Sequence, residues 1–414
     1  MPGIWGEHLL LQKHVEYILL ATLFMIPLSS VLVYPLLGCA VLLFLLRQIK
    51  VSFAEVRLPP LSAFGAGFIA WALISCLASP DRLFALFNWI FLPLQYGLLY
   101  MLVYSVMDTR EKRRRAVLSF FMGALCVAAY GFYQYANVTG MGQDLMAQSW
   151  VDPERFPLLR RRMYSTLENP NLLGGYLLMI LSYTASFFLF MRGKGKMMAA
   201  ALVGLLVLCL ALTYSRGAWI SLAAMVAGIA IFYDKRFGLL FLLVPVILLA
   251  YHGQVTERFL SLFSGEDSSL MLRLGLWESS RAMIAEHPFF GVGWGSYFLA
   301  YPEYNFFIQD ARVIIFHAHN LFLDIPAETG LPGGMLYFIF FFGQAVFSWR
   351  LYKKSEAPFN RALSLGGLLM VIALAVSGMA DHVLFARSVS LCFWSLAALS
   401  LSVHGSREGK NHKE

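Results

Sequence analysis

His317-Ala318-His319-Asn320-Leu321-Phe322-Leu323-Asp324-Ile325-Pro326-Ala327-Glu328-Thr329-Gly330-Leu331-Pro332-Gly333-Gly334 gathers two histidines, an asparagine and two carboxylates immediately ahead of an uninterrupted apolar run. A polar cluster in that position belongs at a membrane surface, with the next helix starting beneath it. The rest of the chain has the composition of a scaffold for such an edge. Hydrophobic residues make up 59% of it and charged residues only 14%, far from the soluble norm. The apolar runs are too long and continuous for the alternation of a membrane barrel, so the expected fold class is an all-α polytopic membrane protein.

Apolar spans are expected at about 15–30, 31–46, 61–79, 84–106, 116–136, 171–191, 197–214, 217–233, 237–252, 331–349, 362–380 and 388–403, which predicts about twelve transmembrane helices and puts both termini on one side. Pro27 and Pro35 make the boundaries of the first pair the least regular. The N-terminus lacks a cleavable signal pattern, so the first helix is expected to stay. The chain reads as one integral membrane domain, 1–414, with a short polar cytoplasmic tail at 404–414.

Basic residues supply the orientation. With the N-terminus inside, 21 of the 32 lysines and arginines fall in inner segments, and the remaining 11 are outside. All ten lysines are inner and every outer cation is an arginine. Arginine's planar fork grips phosphate at two points, which suits an outward phosphate-handling site, although arginine also outnumbers lysine overall. The formal charge of +8 is spread over short clusters between spans, as topology signals are, so nucleic acid is not an expected partner. All five cysteines lie in apolar runs, which implies neither a disulfide framework nor a zinc site.

The large external loop, 253–330, exceeds what a connection needs and is expected to carry part of the active site on short interfacial helices. Within it, 270–286 mixes apolar residues with Arg273, Glu278 and Arg281, and His287-Pro288 ends the helix. Arg273 and Trp277 share a face at four-residue spacing, and Arg273 reads either as a ligand or as a solvated charge. Arg216, in Tyr214-Ser215-Arg216-Gly217 between two spans, is either a snorkelling anchor or a phosphate grip, the second fitting its outer position better. A Ser-Arg pair also occurs in lipid phosphatases, but the histidine that chemistry needs six residues on is Leu222 here. Arg160, Arg161 and Arg162 could attract an anionic substrate or bind lipid headgroups. His319, with Asp324 and Glu328 close by, is a candidate general base, or a histidine satisfied by backbone. Metal-ligand spacing is lacking, so neither a metal nor another cofactor is expected.

Three motifs together resemble the O-antigen ligase and polymerase superfamily: Tyr214-Ser215-Arg216-Gly217; Arg273-x-x-x-Trp277 running into His287-Pro288-x-x-Gly291-x-Gly293; and His319-Asn320 followed at fixed distance by Gly330 and Gly333. The resemblance implies a GT-C-like, metal-independent, inverting glycosyltransferase in the bacterial cytoplasmic (inner) membrane. It would move a glycan from an undecaprenyl-pyrophosphate carrier to an acceptor hydroxyl, lipid A-core for a ligase or a second lipid-linked glycan for a polymerase. By it, Arg216 and Arg273 grip the pyrophosphate, His319 activates the acceptor, and Arg161, Arg162, Asn320, Trp277 and Arg281 line the substrates. His317 is expected to matter less than His319. A transporter of lipid-linked sugars is the competing class, but the middles of the spans carry essentially no charge.

Overall fold

A computed structural model describes residues 2–51, 56–137, 162–242, 268–306 and 315–405. The described residues are helical with no strand: α1 Pro2–Met25, α2 Ser30–Val51, α3 Ser62–Ser75, α4 Arg82–Phe91, α5 Pro93–Val106, α6 Arg110–Ala136, α7 Pro170–Phe190, α8 Gly193–Leu212, α9 Arg216–Phe232, α10 Ser268–Glu286, α11 Leu321–Lys354, α12 Pro358–Gly378 and α13 Arg387–Leu401. Without water inside a bilayer, only continuous helices satisfy their own backbone polar groups, which is why the apolar runs take this form.

Seven stretches among the described residues are long and apolar enough to cross a membrane, and two shorter apolar helices, Ser62–Ala78 and Arg216–Phe232, accompany them. The expected span at 237–252 lies largely outside the described residues. The span expected at 84–106 is two helices, α4 and α5, because Pro93 cannot donate a backbone hydrogen bond and takes the first position of a new helix. The span expected at 331–349 starts earlier, at Leu321, and runs to Lys354 with a break at Gly330 (φ 70°, ψ 175°). The interfacial segment expected at 270–286 is helical as α10, which stops at Glu286 ahead of Pro288.

Helix α7 is the centre of the bundle. Its residues from Leu173 to Phe187 are buried, as befits a helix apolar on every side. Its small hydroxyl side chains are satisfied within the helix: Ser182, Thr184 and Ser186 each donate to the carbonyl four residues back. Near its start, Gly174 and Gly175 let neighbours approach at backbone distance. A Cβ on Gly174 would lie 2.9 Å from that of Ala218 in α9, and one on Gly175 would lie 2.8 Å from Val383, just beyond α12. Small residues at such crossings permit close helix packing in the absence of a hydrophobic driving force. The beginnings of α7 and α9 and the segment after α12 therefore meet at one end of the bundle.

A candidate active site at the start of α11

Asn320 starts α11. Its side-chain Oδ1 accepts from Phe322 N at 2.9 Å, the geometry of an N-cap. Its Nδ2 donates to Met379 O at 3.2 Å, which ties the start of α11 to the end of α12. Just before the cap, His319 takes left-handed backbone, φ 49°. A residue with a Cβ holds that conformation at a cost of about 1–3 kcal/mol unless its surroundings enforce it. Two bonds do so here: His317 Nδ1 accepts from His319 N at 3.1 Å, and Asp324 Oδ1, one turn into α11, accepts from Ala318 N at 2.7 Å.

The turn presents His319 to Asp381, in the segment after α12. His319 Nδ1 lies 3.0 Å from Asp381 Oδ1, with the two side chains 32% and 14% exposed, so the pair can be reached from outside. Asp381 Oδ1 also accepts from His382 N at 2.9 Å, and Oδ2 accepts from Asn171 Nδ2 at 2.8 Å. Burial alone would raise the Asp381 carboxyl. The hydrogen bond and electrostatic pull of His319, together with the Arg273 charge, outweigh it and hold Asp381 well below the usual carboxylate range. An ionised carboxylate only accepts, so His319 Nδ1 carries the hydrogen and Nε2 is left to take a proton. Beside it, burial pushes the His317 imidazole down to about 3, so it stays neutral and serves as the acceptor the turn needs.

The polar chain continues through Asn171, whose Oδ1 accepts from Arg162 Nη2 at 3.1 Å. Arg162 Nε donates in turn to Thr213 O at 2.8 Å. Thr213 opens the Thr213–Arg216 junction, in which Tyr214 is left-handed (φ 51°) and Arg216, buried, is the first residue of α9. An unbroken line of hydrogen bonds thus runs from this junction to His319. Arg273 is near enough to Asp381 to depress its carboxyl. One turn on, Trp277 Nε1 is buried with no acceptor among the described residues. Arg281 is exposed on the same helix, Arg161 lies outside the described residues, and Asn320 is a cap.

His317, His319 and Asp381 offer three possible ligand atoms within 4.8 Å of one another. Those groups are already engaged: His319 Nδ1 with Asp381 Oδ1, and His317 Nδ1 with the His319 amide. A metal held through those two Nδ1 atoms would displace the bonds that form the turn.

The glycine spacings acquire a mechanical meaning. Glu328 Oε2 accepts from Gly295 N at 3.0 Å and its Oε1 from Tyr297 N at 3.1 Å, while Val292 N and Gly293 N donate to the carbonyls of Ala327 and Glu328. The loop after α10 is thereby laced along α11. Gly330 is left-handed where a Cβ would come 2.2 Å from Phe289 O, and Gly291 (φ 65°) would meet the Glu328 backbone at 2.4 Å. No side chain fits at either contact. Residues 201–338 match the family model for O-antigen ligase. Over that third of the chain it is similar to the O-antigen ligases. The matched stretch holds Arg216, α10 with Arg273, the glycine clasp and the His319 turn. Comparison with curated proteins gives no match.

Three partners in the site go beyond the sequence expectations. Asp381, His382 and Asn171 lie outside the matched stretch, and the ligase motifs do not point to them. The available signal was Asp381-His382 itself, an acid–imidazole pair following an apolar span on the side assigned to His319.

Proposed function

We propose that the protein transfers a glycan from a polyprenyl-pyrophosphate carrier to an acceptor hydroxyl, with His319 as base and Arg216 and Arg273 as the pyrophosphate grip. The site end of the bundle faces out of a bacterial inner membrane in this reading, and the arginine-only outer loops support that orientation. In the reaction, Nε2 of His319 takes the acceptor proton as the acceptor oxygen bonds to the anomeric carbon. The bond from that carbon to the pyrophosphate breaks, and the electron pair leaves with the polyprenyl pyrophosphate. Attack from the face opposite the leaving group inverts the anomeric configuration. Arginine charge stabilises the departing diphosphate as it develops.

The observation that carries this reading is the accessible His319–Asp381 pair, joined through Asn171 and Arg162 to the Arg216 junction, with the Arg273 charge felt at Asp381. An ionised carboxylate fixes the imidazole tautomer and supports the imidazolium that forms, and arginine at 216 and 273 supplies the two-pronged donors that suit a diphosphate. The indole N–H of Trp277, buried with no acceptor among the described residues, adds a donor for a ligand oxygen.

Purified protein given undecaprenyl-pyrophosphate-linked glycan, with and without lipid A-core, tests the assignment. A ligase transfers glycan to lipid A-core and leaves the carrier-linked chains unextended. Longer carrier-linked chains without any lipid A-core product would identify a polymerase instead, and transport without transfer would refute both.

A further inference from the structure

We infer that Asp324 and His382 form a second carboxylate–imidazole pair that positions His319 for transfer without touching either substrate. This deepens the base assignment and rests on it. His382 Nδ1 lies 2.7 Å from Asp324 Oδ2, and the two side chains are only 4% and 3% exposed. The pair that includes His319 is several times more open. Two similar pairs thus stand side by side, and only one can meet an acceptor hydroxyl.

The buried pair holds His319 from both directions. Asp324 uses its other oxygen, Oδ1, to accept from Ala318 N at 2.7 Å, which fixes the backbone entering the left-handed residue. His382 uses its backbone N–H to donate to Asp381 Oδ1, the same oxygen that receives His319 Nδ1. His382 also presents its ring edge-on to His317 at 6.1 Å, and the His317 ring lies tilted against that of His319 with centroids 4.2 Å apart. Releasing the pair loosens both the main chain of the base and the carboxylate that orients it. Stability alone does not call for such an arrangement, because an apolar pair of similar volume serves a buried site as well or better. A misplacement of about 1 Å at a reacting group costs on the order of a hundredfold in rate, which makes positioning a sufficient reason for the pair.

The test compares Asp324→Ala, Asp324→Asn, His382→Ala and His382→Gln with the parent, each as monodisperse full-length protein assayed with lipid-linked glycan donor and acceptor. The alanine variants are expected to lower kcat on the order of ten- to a hundredfold with donor KM near the parent value. Asp324→Asn, which keeps an oxygen for the Ala318 amide, should retain more. The double variant Asp324→Ala/His382→Ala should be no slower than the worse single, and neither change should slow the residual turnover of His319→Ala further, since the pair acts through that residue. If the alanine variants fail to fold, Asp324→Asn and His382→Gln carry the same comparison. Parent-like kcat in the folded variants, a change confined to KM, or a further loss in the His319→Ala background would each overturn the inference. Full activity of His319→Ala would instead bring down the assignment of the base itself.

Discussion

Replacing Asp381 by asparagine removes the charge behind His319 while keeping the shape. The parent carboxylate is saturated with donors: His319 Nδ1 at 3.0 Å and His382 N at 2.9 Å on Oδ1, and Asn171 Nδ2 at 2.8 Å on Oδ2. An asparagine that keeps its oxygen toward His319 must turn its NH2 onto the NH2 of Asn171, so two donors face each other. Asn171 cannot flip freely to relieve this, because its own oxygen accepts from Arg162. A hydrogen bond to an ionised group contributes about 1.5–3 kcal/mol against about 1 for a neutral one, and the facing donors add a similar penalty. The combined loss, about 2–3 kcal/mol where His319 becomes imidazolium, corresponds to roughly 30- to 160-fold in kcat. Single-turnover transfer at saturating donor measures it, with donor affinity expected to stay near the parent value. A folded Asp381→Asn protein turning over within about twofold of the parent would refute the role of this pair.

Further outcomes follow from the same geometry. Arg216→Ala and Arg273→Ala should weaken donor binding and turnover together, and Arg→Lys at either position should restore only part of each, because a point charge replaces a two-pronged grip; an unchanged donor KM in both would place the diphosphate elsewhere. Gly330→Ala should cost stability by several kcal/mol, since a Cβ at φ 70° would lie 2.2 Å from Phe289 O, and a melting temperature equal to the parent's would contradict the clasp. Acidification should destabilise the fold. His317 stays neutral to about 3 from an ordinary 6.5, so its contribution is present above 6.5 and falls by about 2 kcal/mol on going down to pH 5. Asp381, depressed below the ordinary carboxylate value, acts in the same direction at lower pH. Melting curves of the parent and of His317→Asn from pH 8 to 5 check this, with a flatter profile expected in the variant and an equal slope contradicting it.

The helical class was legible because composition and run length leave a membrane chain few alternatives, and α10 was legible because its charges and Pro288 bound it. The position of α11 was not, since the apolar run visibly begins at Leu331 while the helix begins at a cap eleven residues earlier. The Asn320 side-chain bond marks the start of a first helical segment, and the non-helical Gly330 is the kink at which the apolar helix expected from 331 joins it. In the site, His319, Arg216 and Arg273 could be picked out by motif, and Arg162 by charge. Asp381 and His382 carried only the weak signal of an acid–imidazole pair after an apolar span, because what joins them to the site is a contact across 62 and 58 residues. His317 also has a part as the acceptor that holds the His319 turn, a consequence of backbone conformation invisible in residue spacing.

The most direct test of the central claim is single-turnover glycan transfer by purified His319→Ala, run beside the parent with donor binding measured on the same samples and with a chelator present throughout. The account predicts that the variant binds the lipid-linked donor nearly as the parent does and loses most transfer, while the parent keeps its activity in chelator. Parent-like transfer by His319→Ala, or transfer by the parent that requires added divalent metal, would contradict it.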